Sequence, residues 1–444
     1  MNWILPEGSL LEFDGLSKPL KVLRGLGGGG QGQVFEVDVA GEHLALKWYF
    51  PSYLARDPNL PQRLGESIRA TAPNSDFLWP IALLRPAPAT AEAIKLSDPG
   101  CGYLMGLRPP GFVGAIEHYA GRIEISLQNV LRAGFFLADA FHDLHSKGLC
   151  YKDISLGNLF LQAQTGRILI CDNDNVDVDG RKLSSVLGTP GFIAPEVLMT
   201  RARPGTNSDL FSLAALLFRL FTRHDPLRGQ MDLGIKCLDE PARRKLYGED
   251  PLFIFDPKNE RNRPNPEEHA AALITWPIYP QTLQNVFLQT FCDGMKAPKR
   301  RALTGQWKEV LAKTIDHRVL CDQCGQENFP NDLATSATCW NCKSALTQPQ
   351  TLRLANGVVA ASAENEIYPH HFDNLKPPDL KHPVGQIVQH PSDPSMLGLK
   401  NLTTEPWTAI LSNGSKTTLE AGKTCNLAAV IQFFTPMGDV ITTI

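Results

Sequence analysis

One short stretch restricts this chain more than any other. Leu26-Gly27-Gly28-Gly29-Gly30-Gln31-Gly32-Gln33-Val34-Phe35-Glu36-Val37 is a glycine loop that runs straight into a β-like alternation. Within it, Gly27-x-Gly29-x-x-Gly32-x-Val34 offers bare backbone amides that can approach phosphate oxygens. A dinucleotide fold shares the glycine pattern but needs a helix to begin at the last glycine. Here residues 34–39 alternate as a strand, turn near Gly41 and return through His43-Leu44-Ala45-Leu46-Lys47-Trp48-Tyr49. The product is a strand–loop–strand unit with a lysine well inside the second strand. A flexible glycine linker fits poorly between two such runs.

A lysine half buried in a strand needs an anionic partner if it is to hold a phosphate. Gln62-Arg63-Leu64-Gly65-Glu66-Ser67-Ile68-Arg69 reads as a helix, and Glu66 is its best candidate, with Glu42 open as a surface alternative. Further along, an amphipathic helix is expected from about Ser126 to Lys147, with Leu137, Phe141 and Leu144 on one face and Gly148 as its stop. Leu149-Cys150-Tyr151-Lys152-Asp153-Ile154-Ser155-Leu156-Gly157-Asn158 follows, and then the β-run Arg167-Ile168-Leu169-Ile170-Cys171 presents Asp172-Asn173-Asp174. Asn158 and Asp172 offer hard oxygen ligands for Mg²⁺, and Asp153 can accept a hydroxyl proton. Each aspartate alone reads as a turn or cap; the three together behind a glycine loop and a strand lysine read as one site.

The chain has 444 residues, too many for one ordinary core. Lys plus Arg is 43 against Asp plus Glu 46, a net charge of −3, so an electrostatic grip on nucleic acid or anionic membrane is not expected as the main activity. The N-terminus has neither a basic segment nor a long apolar run, and the most apolar window, residues 210–221, is too short to span a bilayer. Solitary cysteines in so long a chain imply a reduced, cytoplasmic protein. Four others form Cys321-x-x-Cys324 and Cys339-x-x-Cys342, the spacing of a Cys₄ Zn²⁺ site in which two short turns each present two thiolates. Dithiol redox chemistry is the alternative reading of such pairs.

Residues 8–317 resemble a protein kinase domain. The resemblance rests on the elements above and, in order after them, on Ala194-Pro195-Glu196, on Asp209 in Ser208-Asp209-Leu210-Phe211, and on Arg301 six residues before Trp307. It implies an α+β, bilobal protein-kinase-like fold over residues 1–317, with an N-lobe to about 106 and a C-lobe over about 107–317. It also implies ATP on Gly27, Gly29, Gly32, Val34, Ala45, Lys47, Glu66, Met105 and Phe160, with Lys47 on the α/β-phosphates and paired to Glu66. Asp153 would be the catalytic base, Asn158 and Asp172 the Mg²⁺ ligands, and Arg301 the partner of Glu196. Several positions depart from the family. Tyr151-Lys152-Asp153 replaces His-Arg-Asp, Ser155 replaces a lysine, and Asp172-Asn173-Asp174 replaces Asp-Phe-Gly. An amide at 173 requires hydrogen-bond partners if buried, so control by a phenylalanine flip is not expected. Ser184, Ser185 and Thr189 are candidate phosphorylation sites, with Lys152 as a partner for the phosphate.

A zinc ribbon at 318–346 and a linker with a β-rich, sandwich-like domain at 347–444 complete the expected architecture. Asn356-Gly357 and Asn413-Gly414 read as hairpin turns, and Pro369 to Pro394, rich in Pro and His, as a loop or linker with extended pieces. This arrangement resembles the bacterial kinases of tellurite-resistance-associated triads. That narrower resemblance implies stress or phage-defence signalling, with a metal-dependent protein phosphatase and a von Willebrand A protein as partners. The tail is distantly similar to a forkhead-associated sandwich but lacks its arginine and serine–histidine phosphopeptide reader, so docking or packing is expected of it. The function expected is an ATP- and Mg²⁺-dependent protein kinase acting on Ser or Thr. A nucleotide-binding pseudokinase scaffold is the alternative, and a nucleic-acid contact at the ribbon with Lys299-Arg300-Arg301 is a weaker third.

Overall fold

The glycine loop closes a hairpin between strands Leu20–Gly28 and Gly32–Val39, and the lysine strand Glu42–Tyr49 pairs with the second of these along its whole length. The structure, a computed structural model, describes residues 3–94, 100–180 and 187–443. A Cβ at position 32 would sit 2.1 Å from the Trp48 carbonyl oxygen, so the hairpin can lie against the lysine strand only through a glycine. Lys47 stands opposite Val34 on one side and Tyr103 on the other, inside a seven-stranded sheet. Pleating sends Leu44, Leu46 and Trp48 into one core with Phe35, Val37 and Leu104. Ala45 and Tyr49 go to the opposite face, with Leu60, Leu64 and Tyr103, and Lys47 lies between them in the alternation.

Below this sheet the chain is mainly helical. Helix Leu127–Ser146 begins where the Ser126 hydroxyl accepts the Asn129 N–H, and it stops before Gly148, whose φ of 70° ends the helical path. Leu137, Phe141 and Leu144 on it are buried, as its periodicity requires. Helix Thr206–Thr222 is buried from Ser208 to Thr222 and packs with Leu127–Ser146 and Thr304–Asp316 in one large apolar core. Strands Leu159–Gln162 and Ile168–Ile170 form a short antiparallel pair at the top of this lobe. They carry Asn158 and Asp172 at their two neighbouring ends. No helix among the described residues is long and apolar enough to cross a membrane.

After residue 350 the chain forms two antiparallel sheets of six and four strands. Leu352, Trp407, Phe433 and Val440 from one sheet and Ile367, Ile387 and Leu399 from the other share a core. Thr351–Leu354 turns through Asn356-Gly357 into Gly357–Ala360, and Trp407–Leu411 turns through Asn413-Gly414 into Lys416–Leu419. Both turns need the positive φ that Gly357 (130°) and Gly414 (81°) adopt. The Pro- and His-rich stretch is irregular over most of its length, and its extended piece is a true strand. Strand Gly385–His390 pairs there with Asp393–Asn401, because Ile387 finds the tail core and the prolines fall outside the strand.

This stretch also fastens the tail to the helical lobe. Arg132 Nη1 meets Glu366 at 2.6 Å, and Lys381 Nζ meets Asp139 at 2.7 Å. His371 Nδ1 accepts the Tyr368 N–H at 3.0 Å, so its Nε2 carries the proton and donates to Asp316 at 3.2 Å. Tyr368 and Leu380 join the core of the helical lobe itself.

Candidate active site

The glycine hairpin roofs a cleft of about 670 Å³ whose walls include Val34, Ala45, Met105, Phe160 and Asp172, with Lys47 inside it. Gly27 and Gly29 have open space where a side chain would stand, so no side chain screens this part of the loop, and the Gly29 N–H closes the turn on the Gly32 carbonyl at 3.0 Å. Lys47 Nζ lies 3.2 Å from Asp172 Oδ1, joining two residues 125 positions apart, and it also donates to Gln31 Oε1 at 2.9 Å. The pairing expected with Glu66 is not formed. The nearest carboxylate oxygen to Lys47 is Asp174 Oδ2, at 2.7 Å.

Helix Leu60–Ala70 explains the correction. Its buried face consists of Leu60, Arg63, Leu64 and Ser67, and Arg63 is engaged with Asp57 in a buried pair at 2.6 Å. Glu66 lies beside that face and accepts a hydrogen bond from Gln62 at 3.2 Å. Glu42, the surface alternative, is exposed at the start of the lysine strand, an odd number of residues from Lys47 and so on the opposite face. Asp174 instead is fully buried, and Tyr49, two residues beyond Lys47 on the same strand face, donates its hydroxyl to the same carboxylate oxygen.

These charges shift one another. Burial works against the Lys47 ammonium, but Asp174 and Asp172 outweigh it and raise its pKa well above the ordinary lysine value. Burial also opposes the Asp174 carboxylate; Lys47 and the hydrogen bonds from Lys47 and Tyr49 win, and the carboxyl is lowered. Asp172 is pushed above the usual aspartate value by burial, with Lys47 pulling against it. The Asp172 side chain is 37% exposed and that of Asp174 is 0%, so Asp172 is the one that faces a ligand.

The loop carrying Asp153 is held from beneath. Buried Asp209, at the start of helix Thr206–Thr222, accepts the Tyr151 N–H at 2.6 Å and the Lys152 N–H at 3.0 Å. Asn158 Nδ2 donates to the Asp153 carbonyl at 2.9 Å, which leaves its amide oxygen as the ligating atom. The Asn158 carbonyl takes the Cys171 N–H at 3.0 Å and so ties this loop to the residue before Asp172. Thr189 Oγ1 donates to Asp153 Oδ1 at 2.6 Å. Farther out, Arg301 grips Glu196 with both terminal nitrogens at 2.7 Å.

The departures from the resemblance have structural counterparts. Asn173 is fully buried, and its amide nitrogen donates to the carbonyls of Leu78 at 2.8 Å and Ile170 at 3.2 Å. Lys152 does not wait for a phosphate: its ammonium pairs with Asp177 at 2.9 Å, both side chains being at least 97% buried. Ser184 and Ser185 lie outside the described residues. Asp174, Tyr49, Asp177 and the Asp153 contact of Thr189 were missed in the sequence. The period-two step from Lys47 to Tyr49 is the one local signal that could have pointed to Tyr49.

The cysteine pairs come together far from this cleft in the sequence. Cys321 Sγ and Cys342 Sγ are 3.6 Å apart, as are Cys324 Sγ and Cys339 Sγ, and the four sulfurs all lie within 4.8 Å of one another. All ten cysteines are free thiols.

Comparison with known proteins bears on the cleft. Residues 119–285 match the protein kinase domain family. CBL-interacting protein kinase 4 of Oryza sativa subsp. japonica is 28% identical over 169 residues, 36% of this chain and 36% of that protein. Human serine/threonine-protein kinase 40 is 35% identical over 80 residues, 17% of this chain and 18% of that protein. The chain thus spans about a third or less of the length of these curated relatives. The crystal structure of the Mycobacterium tuberculosis PknI kinase domain covers 69% of this chain and 98% of its own, at 20% identity and a TM-score of 0.45. Over residues 119–285 the chain is therefore similar to protein kinase domains.

Proposed function

From that similarity and the geometry of the cleft, we propose that the chain is an ATP- and Mg²⁺-dependent protein kinase that transfers the γ-phosphate to a Ser or Thr hydroxyl of another protein. The observation that carries this reading is the 3.2 Å contact between Lys47 and Asp172 inside the glycine-roofed cleft. Val34, Ala45, Met105 and Phe160 supply apolar walls for the adenine, and the glycine amides with Lys47 take the phosphates. Mg²⁺ would be held by Asp172 and by the amide oxygen of Asn158, a hard-oxygen donor set that suits it, and would neutralise charge on the phosphates. Asp153 accepts the proton as the substrate hydroxyl oxygen bonds to the γ-phosphorus and the bond to the ADP oxygen breaks. Thr189 holds one oxygen of Asp153, which orients the other for this task. The serine/threonine-kinase names of curated relatives support hydroxyl acceptors of that type.

Zn²⁺ belongs on Cys321, Cys324, Cys339 and Cys342. Sulfur separations of 3.6 Å suit tetrahedral coordination at Zn–S of about 2.3 Å and are too long for a disulfide at about 2.05 Å. Four thiolates leave no open position, so the role is structural. The narrower resemblance to the triad kinases supports a cytoplasmic stress or defence pathway with a metal-dependent phosphatase and a von Willebrand A protein as partners.

The test is γ-phosphate transfer with Mg²⁺ to a generic protein acceptor, wild type against Asp153→Asn. Removal of the base is expected to lower the rate by about 10²–10⁴-fold. Wild-type protein that binds ATP yet transfers nothing would replace this reading with the pseudokinase scaffold.

A further inference from the structure

We propose that Asp174 is the positioning residue of Lys47, so that the phosphate-holding lysine and the metal-binding Asp172 are set by one short turn rather than by a helix. This rests on the kinase reading above. In kinases generally, the strand lysine is oriented by a glutamate on a neighbouring helix, and movement of that helix governs activity. Here the neighbouring helix offers Arg63 and not a carboxylate at its buried face, and Arg63 is committed to Asp57. Asp174 Oδ2 is 2.7 Å from Lys47 Nζ and accepts the Tyr49 hydroxyl as well, with the carboxylate entirely buried.

The turn that carries Asp174 packs against helix Leu60–Ala70 but also has anchors outside it. Asn173, its immediate neighbour, is tied to the carbonyls of Leu78 and Ile170, and Asp172 adopts a left-handed conformation at φ 54°, ψ 48°. That backbone reversal sends the half-exposed Asp172 carboxylate toward the cleft while Asp174 points inward at the lysine. Both oxyanions reach one ammonium from positions two residues apart. The polar Asn173 thus does what an apolar plug would do by packing, and it does so by hydrogen bonds that hold a single arrangement. Disturbing the 172–174 turn would remove the lysine anchor and the metal ligand together.

The experiment compares kcat and KM for ATP in wild type, Asp174→Asn, Tyr49→Phe and Glu66→Gln, and adds Lys47→Met with and without Asp174→Asn. Loss of positioning is expected to lower kcat about 10²-fold in Asp174→Asn, with KM for ATP changed less than kcat, and Tyr49→Phe is expected to move kcat in the same direction by less. In the Lys47→Met background, Asp174→Asn is expected to have no further effect, since Asp174 acts through that lysine. Glu66→Gln causing the larger loss, or Asp174→Asn multiplying the defect of Lys47→Met, would overturn the proposal. If Asp174→Asn does not fold, wild-type kcat in Tyr49→Phe overturns it equally. An inactive wild type strikes instead at the kinase reading beneath it.

Discussion

The cleft and the cysteine cluster gather their functional groups in opposite ways. The four sulfurs come from 22 consecutive positions, and the segment around them, residues 318–346, is too small to bury a core of its own. The cleft draws on residues as distant as Lys47 and Asp172, which meet because two lobes, each with its own core, bring their edges together. On the reading proposed above, one site would be made by its ligand, whereas the other is made by the scaffold. The difference teaches where each should be fragile.

Metal removal should separate the two most sharply. Structural Zn²⁺ contributes on the order of 10 kcal/mol to the folding of modules like this one. Chelation, or Cys321→Ser, is expected to abolish bound zinc, about one per chain beforehand, and hydrogen-exchange protection over residues 319–345 with it. Helix Leu127–Ser146 should keep its protection. Equal loss in both regions would break the contrast.

A buried ion pair is the scaffold's counterpart. Arg301 is 1% exposed and bidentate to Glu196, so Arg301→Ala strands a largely buried carboxylate. Unfolding in denaturant should show a loss of about 3–5 kcal/mol, with zinc content unchanged. Arg301→Lys should recover only part of it, because lysine cannot reproduce the fork.

The smallest effect expected is at the seam between tail and helical lobe. Burial, aided by neighbouring His371, pulls His370 from 6.5 down to about 4, against the opposing pull of Asp316 and Asp379. The unfolded chain takes up this proton first as pH falls. Stability is therefore full above pH 6.5 and is lost progressively toward pH 4, by on the order of 2–3 kcal/mol. A pH series of unfolding midpoints should show that slope in wild type and a flatter one in His370→Asn.

Much of this was written locally in the chain. The glycine hairpin, the Ser126-capped helix, both Asn-Gly turns and the cysteine pairs each depend on residues within reach of one another in sequence. Lys47, Asp153, Asn158 and Asp172 were legible because their chemistry is specialised and their order fixed. The partner of Lys47 was not, because whether Glu66 or Asp174 reaches the ammonium depends on how a helix rolls against a sheet. Arg63, paired with Asp57, takes a place on the buried face, a contact that periodicity alone does not reveal. Asp174 read as a lost glycine; only its burial beside Tyr49 and Lys47 gives it a task. In 369–394 an extended piece was legible, but not its pairing, because the partner strand Asp393–Asn401 lies beyond a turn.

The central claim is that Lys47 sits at the phosphates of a nucleotide bound in the cleft. An acyl-phosphate derivative of ATP, which acylates a lysine beside its phosphate chain, tests this directly when the labelled peptides are mapped by mass spectrometry. The account predicts Mg²⁺-dependent labelling of Lys47 that excess ATP suppresses. ATP-suppressible labelling at another lysine, with Lys47 unmodified, would contradict it.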